Sequence, residues 1–179
     1  MSERKLGSAV AALMVLSVLI ATLSNCSYAL ISRNSNVPKS IRSVYIAPLV
    51  NRTQRSQVDQ ILTRAIADEM VTRRRFSVVN GREGADAELG GEVVAFGLTP
   101  VSFDEQGRAT EYEVSITVAV QFRRLDSDEV IWKNDRYLFR QNYRVDPSQT
   151  DYLDRENQAV EDASEQFAVT MVSDLLEGF

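Results

Sequence analysis

The sequence predicts an α+β fold: a two-layer sandwich in which a mostly antiparallel, four-stranded sheet carries two helices on one face, in the order β-α-β-β-β-α. Three observations predict it. From Tyr112 to Phe122, eleven residues alternate without a break, with Tyr112, Val114, Ile116, Val118, Val120 and Phe122 set against Glu113, Ser115, Thr117, Ala119 and Gln121. A period of two over that length describes a strand buried on one side and wet on the other. Two segments, Arg55–Arg75 and Asp151–Glu177, change to a helical period, and turn residues separate the strands between them. Elements with one apolar face each must cover one another, which gives two layers.

The elements follow in chain order. Ser27–Pro38 reads as an extended linker, with Ser32, Asn34, Ser35 and Asn36 ahead of Pro38. Ile41–Pro48 alternates Val44 and Ile46 against Ser43 and Tyr45, a first strand stopped by proline. Across Arg55–Arg75, Val58, Ile61, Leu62, Ala65 and Ile66 share one helical face, and Glu69 is spaced to pair with Arg73. Arg73, Arg74 and Arg75 stand at the helix end, where cations suit the macrodipole. Phe76–Asn80 is a short strand broken by Gly81 and Gly84. The strand resumes over Ala87–Leu98, where Gly90, Gly91 and Gly97 mark close packing or a bulge. Asp104–Gly107 supplies a hairpin turn before the long alternating strand, and Asp126–Glu129 the next. In Val130–Val145 the apolar parity switches between Trp132 and the set Tyr137, Phe139 and Tyr143, so a bulge near Asn134-Asp135 is expected. Val160, Ala163, Phe167, Met171 and Leu175 form the stripe of the last helix, stopped by Gly178. The strand residues from Tyr112 to Val120 are expected to be buried against Leu62, Phe167 and Met171.

The N-terminus has a different character. Ser2 to Lys5 carry one acid and two bases, and Ala9 to Leu23 then run fifteen residues without a charge. That suits a signal-peptide core and is shorter than the roughly 18 residues of a membrane span. Leu23-Ser24-Asn25-Cys26 looks like a bacterial lipobox, with Asn25 where Gly, Ala or Ser is usual. Cleavage there would leave Cys26, the only cysteine, carrying acyl chains that include palmitate. Two or three chains anchor a domain stably, whereas one binds only marginally. The expected organisation is a lipoprotein signal peptide over residues 1–25, a lipidated N-terminus and linker over 26–40, and a single domain over 41–179.

Composition narrows the chemistry. A lipidated Cys26 leaves neither disulfide nor thiol, and histidine is absent, which removes the commonest general base and transition-metal ligand. Nine basic residues face three acidic ones from Arg33 to Arg75, and nine face twenty-one from Phe76 to Phe179. So acidic a domain is a poor binder of nucleic acid. Glu111 and Glu113 share a strand face, but it is the solvated one. Asp126, Asp128 and Glu129 lack the following ligands and glycine of a Ca²⁺ loop, and Gly81–Gly91 has no phosphate-binding spacing. No enzyme, cofactor or metal centre is expected.

Several spaced runs together resemble the lipopolysaccharide-assembly lipoprotein family, LptE. These are Cys26-Ser27-Tyr28-Ala29-Leu30, Pro38–Pro48, Asn51-Arg52-Thr53, Ala85-Asp86-Ala87-Glu88-Leu89-Gly90-Gly91-Glu92-Val93, Ala109-Thr110-Glu111-Tyr112 and the ending Leu175–Phe179. The resemblance implies an outer-membrane lipoprotein on the periplasmic face. Its implied partner is the LptD β-barrel, whose lumen the domain partly plugs while lipopolysaccharide passes to the outer leaflet. It also implies contacts to lipid A phosphates from basic residues near the hairpin tip and the start of the last helix, which here would be Arg108 and Arg155. A periplasmic lipoprotein that activates a synthase or scaffolds a secretion assembly, of the CsgG or LpoB type, is the alternative. A pore former of that type would need a spare amphipathic hairpin, and the strand ending at Phe122 needs its apolar face for its own core.

Overall fold

The computed structural model describes residues 37–145 and 152–177, with residues 152–155 as backbone alone. In chain order the elements are β1 (Ser43–Ile46), β2 (Val50–Asn51), α1 (Val58–Arg73), β3 (Ser77–Val79), β4 (Ala87–Phe103), β5 (Ala109–Arg124), β6 (Val130–Arg144) and α2 (Tyr152–Glu177). The α+β class is the one expected. The sheet differs from four antiparallel strands: it has six, in the order β3-β1-β4-β5-β6 with β2 also on β4. It is mixed, because β1 pairs in parallel with both β3 and β4, and β2 pairs in parallel with β4. The cause is α1. A strand–helix–strand unit brings the chain back to run in its original direction, so β1 and β3 must be parallel neighbours. β2 continues the line of β1 past Pro48, which has no N–H for a ladder.

Two long antiparallel hairpins, β4-β5 and β5-β6, make the rest of the sheet. The expected bulge in the last strand is present. Val118 lies opposite Tyr137 and Val120 opposite Asn134, so Asp135 and Arg136 together face Ala119. That single extra residue restores Tyr137, Phe139 and Tyr143 to the core side. A second bulge, not expected, falls at Val94, between the pairs Val93–Val118 and Ala95–Thr117. It leaves Val94 exposed and returns Phe96 and Leu98 to the core.

The core lies between the sheet and the helices. Tyr112, Val114, Ile116, Val118 and Val120 are all buried, and the four aliphatic ones share a cluster with Leu62, Phe167 and Met171. Phe167 is fully enclosed, with Tyr137 and Phe139 edge-on to it at 5.6 and 6.2 Å between centroids. The Tyr137 hydroxyl donates to Asp174 on the next turns of α2, and burial together with that carboxylate raises its pKa. Burial, with the nearby Asp162 carboxylate, pushes Tyr143 up to about 12. On α1 the buried set is Val58, Leu62, Ala65, Ile66 and Met70; Ile61 is only partly buried. Glu69 pairs with Arg73 as its spacing requires.

α1 starts three residues later than the periodicity suggests, and Asn51 explains why. Its Oδ1 accepts the N–H of Thr53 at 2.8 Å and its Nδ2 donates to the Arg55 carbonyl at 2.8 Å. These bonds hold Asn51–Arg55 in a turn that competes with helix. Asp86 ties the other end of the parallel unit. Its Oδ2 accepts the N–H groups of Arg42 at 2.8 Å and Ser43 at 2.9 Å, and its own N–H donates back to Ser43. Those backbone bonds, then the Ser43 hydroxyl, hold its carboxyl below the usual carboxylate range.

The close approach at Gly91 and the Asp86 clip can each be tested. A Cβ on Gly91 would stand 2.1 Å from the Ala119 carbonyl oxygen and 2.9 Å from Val120 Cα, backbone that cannot yield without opening β4 from β5. On Gly97 the nearest obstacle is the Ser115 hydroxyl at 2.5 Å, which can rotate away. Gly91→Ala is therefore expected to lower unfolding free energy in urea by about 2 kcal/mol or more, and Gly97→Ala by less than about 1 kcal/mol. Equal losses would refute the close-approach account. For Asp86, a folded-state pKa below the unfolded one gives stabilisation that is complete above about pH 4 and is lost as pH falls through the folded value. The urea midpoint of wild type should drop more between about pH 6 and about pH 3 than that of Asp86→Asn; parallel curves would count against the clip.

Candidate functional site

Hairpin β4-β5 ends in a turn built around one carboxylate. The Gly107 N–H donates to the Asp104 carbonyl at 3.0 Å, and Gly107 takes the positive φ of 75° that its position requires. Asp104 Oδ1 accepts the N–H groups of Gln106 at 3.0 Å and Arg108 at 2.8 Å, and its Oδ2 accepts Arg108 Nε at 2.8 Å. The backbone bond from Arg108, followed by its guanidinium, holds the Asp104 carboxyl below the usual range. Arg108 is thus half-exposed, oriented and already paired. Phe103, 60% exposed, precedes the turn and stands in register with Ala109, so the tip carries an exposed apolar side chain and one fixed cation.

Arg155 lies in the first turns of α2, and its side chain falls outside the described residues, as does Cys26. What the structure does place near that helix start is Arg55, which in the sequence marks only a helix boundary. Its Nη2 donates to Asn157 Oδ1 at 2.9 Å, its Nη1 lies 3.7 Å from Glu156, and the guanidinium sits 5.9 Å from the centre of the Phe96 ring. One side chain so links the β2–α1 turn, β4 and the beginning of α2. A single Arg at a helix start carries no sequence signal for that role.

The other acidic candidates separate. Glu111 accepts the Ser102 hydroxyl at 3.1 Å, and in register Glu113 faces Asn142; the two act as polar strand residues. Asp128 pairs with Arg123 at 3.1 Å and Asp126 with Arg124 at 3.8 Å. Among the described residues no three His, Cys, Asp or Glu side chains converge as a metal site would need. A groove of about 620 Å³ runs between α1 and α2, open and lined by Gln60, Arg64, Asp68, Glu161 and Glu165. Charged side chains line it on both sides, unlike the mostly apolar walls of a small-molecule pocket.

Solved structures share this architecture. PelC from Paraburkholderia phytofirmans, crystallised as a dodecamer, aligns with a TM-score of 0.54 at 11% identity, over 78% of this chain and 92% of that one. A hypothetical protein from Chlamydia trachomatis aligns at 0.53 and 10% identity, over 78% and 98%. A protein from Xanthomonas campestris aligns at 0.53 and 13% identity, over 79% and 88%. At these identities the likeness is one of fold alone. None of the curated proteins compared with the chain matches it. The sequence itself matches the family model LptE, described as lipopolysaccharide-assembly, over residues 41–175, which spans every strand and nearly all of α2. The chain belongs to the LptE lipopolysaccharide-assembly family.

Proposed function

We propose that this protein is a non-enzymatic lipoprotein of the outer membrane, anchored through Cys26 and facing the periplasm. In this reading it seats in an LptD-type β-barrel, helps that barrel assemble, and assists lipopolysaccharide to the outer leaflet. The observation that carries the reading is the family match across residues 41–175. The architecture supports it: a compact sandwich with one buried face leaves a polar strand face, two sheet edges and a projecting hairpin for contact with a barrel wall. The amphipathic tip of that hairpin suits a lipid headgroup, with Arg108 set toward phosphate and Phe103 toward acyl or apolar surface. Arg155 is assigned the same phosphate role from its place near the start of α2.

The partner is tested by purifying tagged full-length protein from native outer membranes in mild detergent. A large β-barrel is expected in stoichiometric amount. Intact lipoprotein without a barrel would overturn the plug reading and favour a synthase activator or secretion scaffold.

Asp104 makes the phosphate assignment testable in both directions. Arg108→Ala and Arg155→Ala are each expected to weaken binding of purified lipopolysaccharide by about fivefold, the scale of one exposed charge contact. Asp104→Asn keeps an acceptor for the turn and releases the guanidinium, so binding should tighten. Titrations that ignore all three substitutions would remove these residues from the site.

A further inference from the structure

β6 is an edge strand, paired only with β5 among the described residues. The direction of its open hydrogen-bonding groups follows from one bond. The Val145 N–H donates to the Thr110 carbonyl at 3.0 Å. In an antiparallel ladder, bonded and non-bonded positions alternate, so Tyr143, Gln141 and Phe139 are the residues tied to β5. Leu138, Arg140, Asn142 and Arg144 therefore turn their N–H and C=O groups outward, at the free edge. Their side chains lie on the face away from the helices, because Tyr143 and Phe139, with the opposite parity, pack toward the core.

Of the eight described cations without an ion pair, three gather on this edge; the others are Lys39, Arg42, Arg64, Arg74 and Arg75. Arg52, Arg82, Arg123, Arg124 and Lys133 each meet a carboxylate nearby. Arg136, Arg140 and Arg144 are exposed and make no ion pair among the described residues. Glu111 stands opposite Arg144 and Glu113 lies diagonal to Arg140 and Arg144 on the same face; neither forms an ion pair with them, so they offset only part of the charge. Leu138, beside Arg140 on the same face, is 52% exposed. Cations and a bulge commonly keep an edge from pairing at random. Here the bulge at Asp135-Arg136 ends the protected part, and Tyr137–Arg144 is a straight run beyond it. A second copy is a poor occupant: a two-fold pairing centred on Arg140 sets Arg140 against itself and Arg136 against Arg144, and like charges opposite one another destabilise a sheet.

We propose that β6 from Tyr137 to Arg144 is a strand-addition site for an extended acidic segment of another protein. Free ladder groups supply affinity and alternate side chains supply choice. The segment would place two carboxylates four residues apart, against Arg140 and Arg144, and an apolar side chain beside Leu138. This inference is independent of the barrel reading, since the edge fits any segment with that pattern.

The test uses the full chain in detergent and a labelled nine-residue peptide, Thr-Val-Thr-Glu-Thr-Val-Thr-Glu-Thr, together with its reversed sequence for the other strand direction. Two control peptides change one property each: Gln for Glu, and Pro at both the central Thr and the Val beside it, which removes a ladder N–H in either strand direction at unchanged charge. By fluorescence anisotropy, one of the two glutamate peptides should bind at least about tenfold tighter than either control, because charge and ladder both contribute. Arg140→Gln combined with Arg144→Gln should weaken that binding at least about tenfold and, by setting no like charge against Glu111, leave the thermal unfolding curve in place. Equal binding of the proline peptide would mean charge attraction alone and overturn strand addition. So would binding that survives the double substitution. If the double variant loses only binding to phosphatidylglycerol vesicles while no peptide binds, the edge faces lipid and the proposal fails. A concentration-dependent dimer, abolished by the same variant, would make the occupant a second copy and equally refute it.

Discussion

One-sided burial of β5 is the constraint on which the rest depends. Its apolar residues from Tyr112 to Phe122 all face the helices, and a slip of one residue would turn every one of them to water. Neighbouring strands must therefore match that parity along their whole length. They do so by inserting single residues: Val94 and Val101 in β4, and Ile131 and one of the Asp135-Arg136 pair in β6. Phe167 closes the layer from the other side, with two aromatic rings edge-on to it. Removing a buried aromatic costs about 3–5 kcal/mol, whereas exposed ion pairs such as Arg52–Glu92 contribute about 0–1 kcal/mol. The fold is held by the layer contact, and its many surface pairs serve mainly to settle which charges stay available.

Much of this architecture is legible in the amino-acid sequence. The alternation of Tyr112–Phe122, the parity switch that demands a bulge near Asn134, the Asp104–Gly107 turn and both helical stripes are local signals. They survive because each element needs only its own residues to display its period. The direction of the short strands is not legible. Ser43–Ile46 and Ser77–Val79 are too brief to show a pattern of partners, and only the helix between them implies that they run parallel. β2 is hidden because Pro48 reads as a stop, while the two-residue strand beyond it depends on Val93 and Glu92 across the sheet. The Val94 bulge is hidden because Val93 and Val94 are both apolar, and sequence alone cannot say which of two adjacent valines turns outward.

The functional surface divides along the same line. Runs that carry the family resemblance have structural work: Asn51 organises the turn into α1, Asp86 clips β1 to the start of β4, and Gly91 admits the β5 backbone. Such residues are visible as a spaced set and silent about what they do. The i, i+4 pairing of Asp104 with Arg108 can be read from spacing, and it recasts the acids at the hairpin tip. Asp104 builds the turn that points Arg108 outward and also neutralises it. The three-way bridge of Arg55 joins residues more than a hundred positions apart, and no local pattern announces it.

A sandwich with helices on only one side has little choice about where it meets a partner. Most of its large apolar side chains are spent on the interior, so recognition falls to features that cost the core nothing: a turn with Phe103 beside it, a polar face, and a free edge carrying Leu138. In this chain those places differ in charge in a consistent way. At the base of the sheet, Glu88 is gripped by Arg82 and Arg123, and Arg123 in turn meets Asp128, leaving a surface that is charged and locally balanced. Along the far half of β6 the arginines have no such partners among the described residues, although twenty-one acids lie between Phe76 and Phe179. Glu111 and Glu113 stand beside them on β5 without forming an ion pair, and the other described acids lie elsewhere. A cationic edge that Glu111 and Glu113 offset only in part gains its full electrostatic value when something anionic covers it, and the outward backbone groups beside those arginines make an extended polypeptide the better-fitting cover.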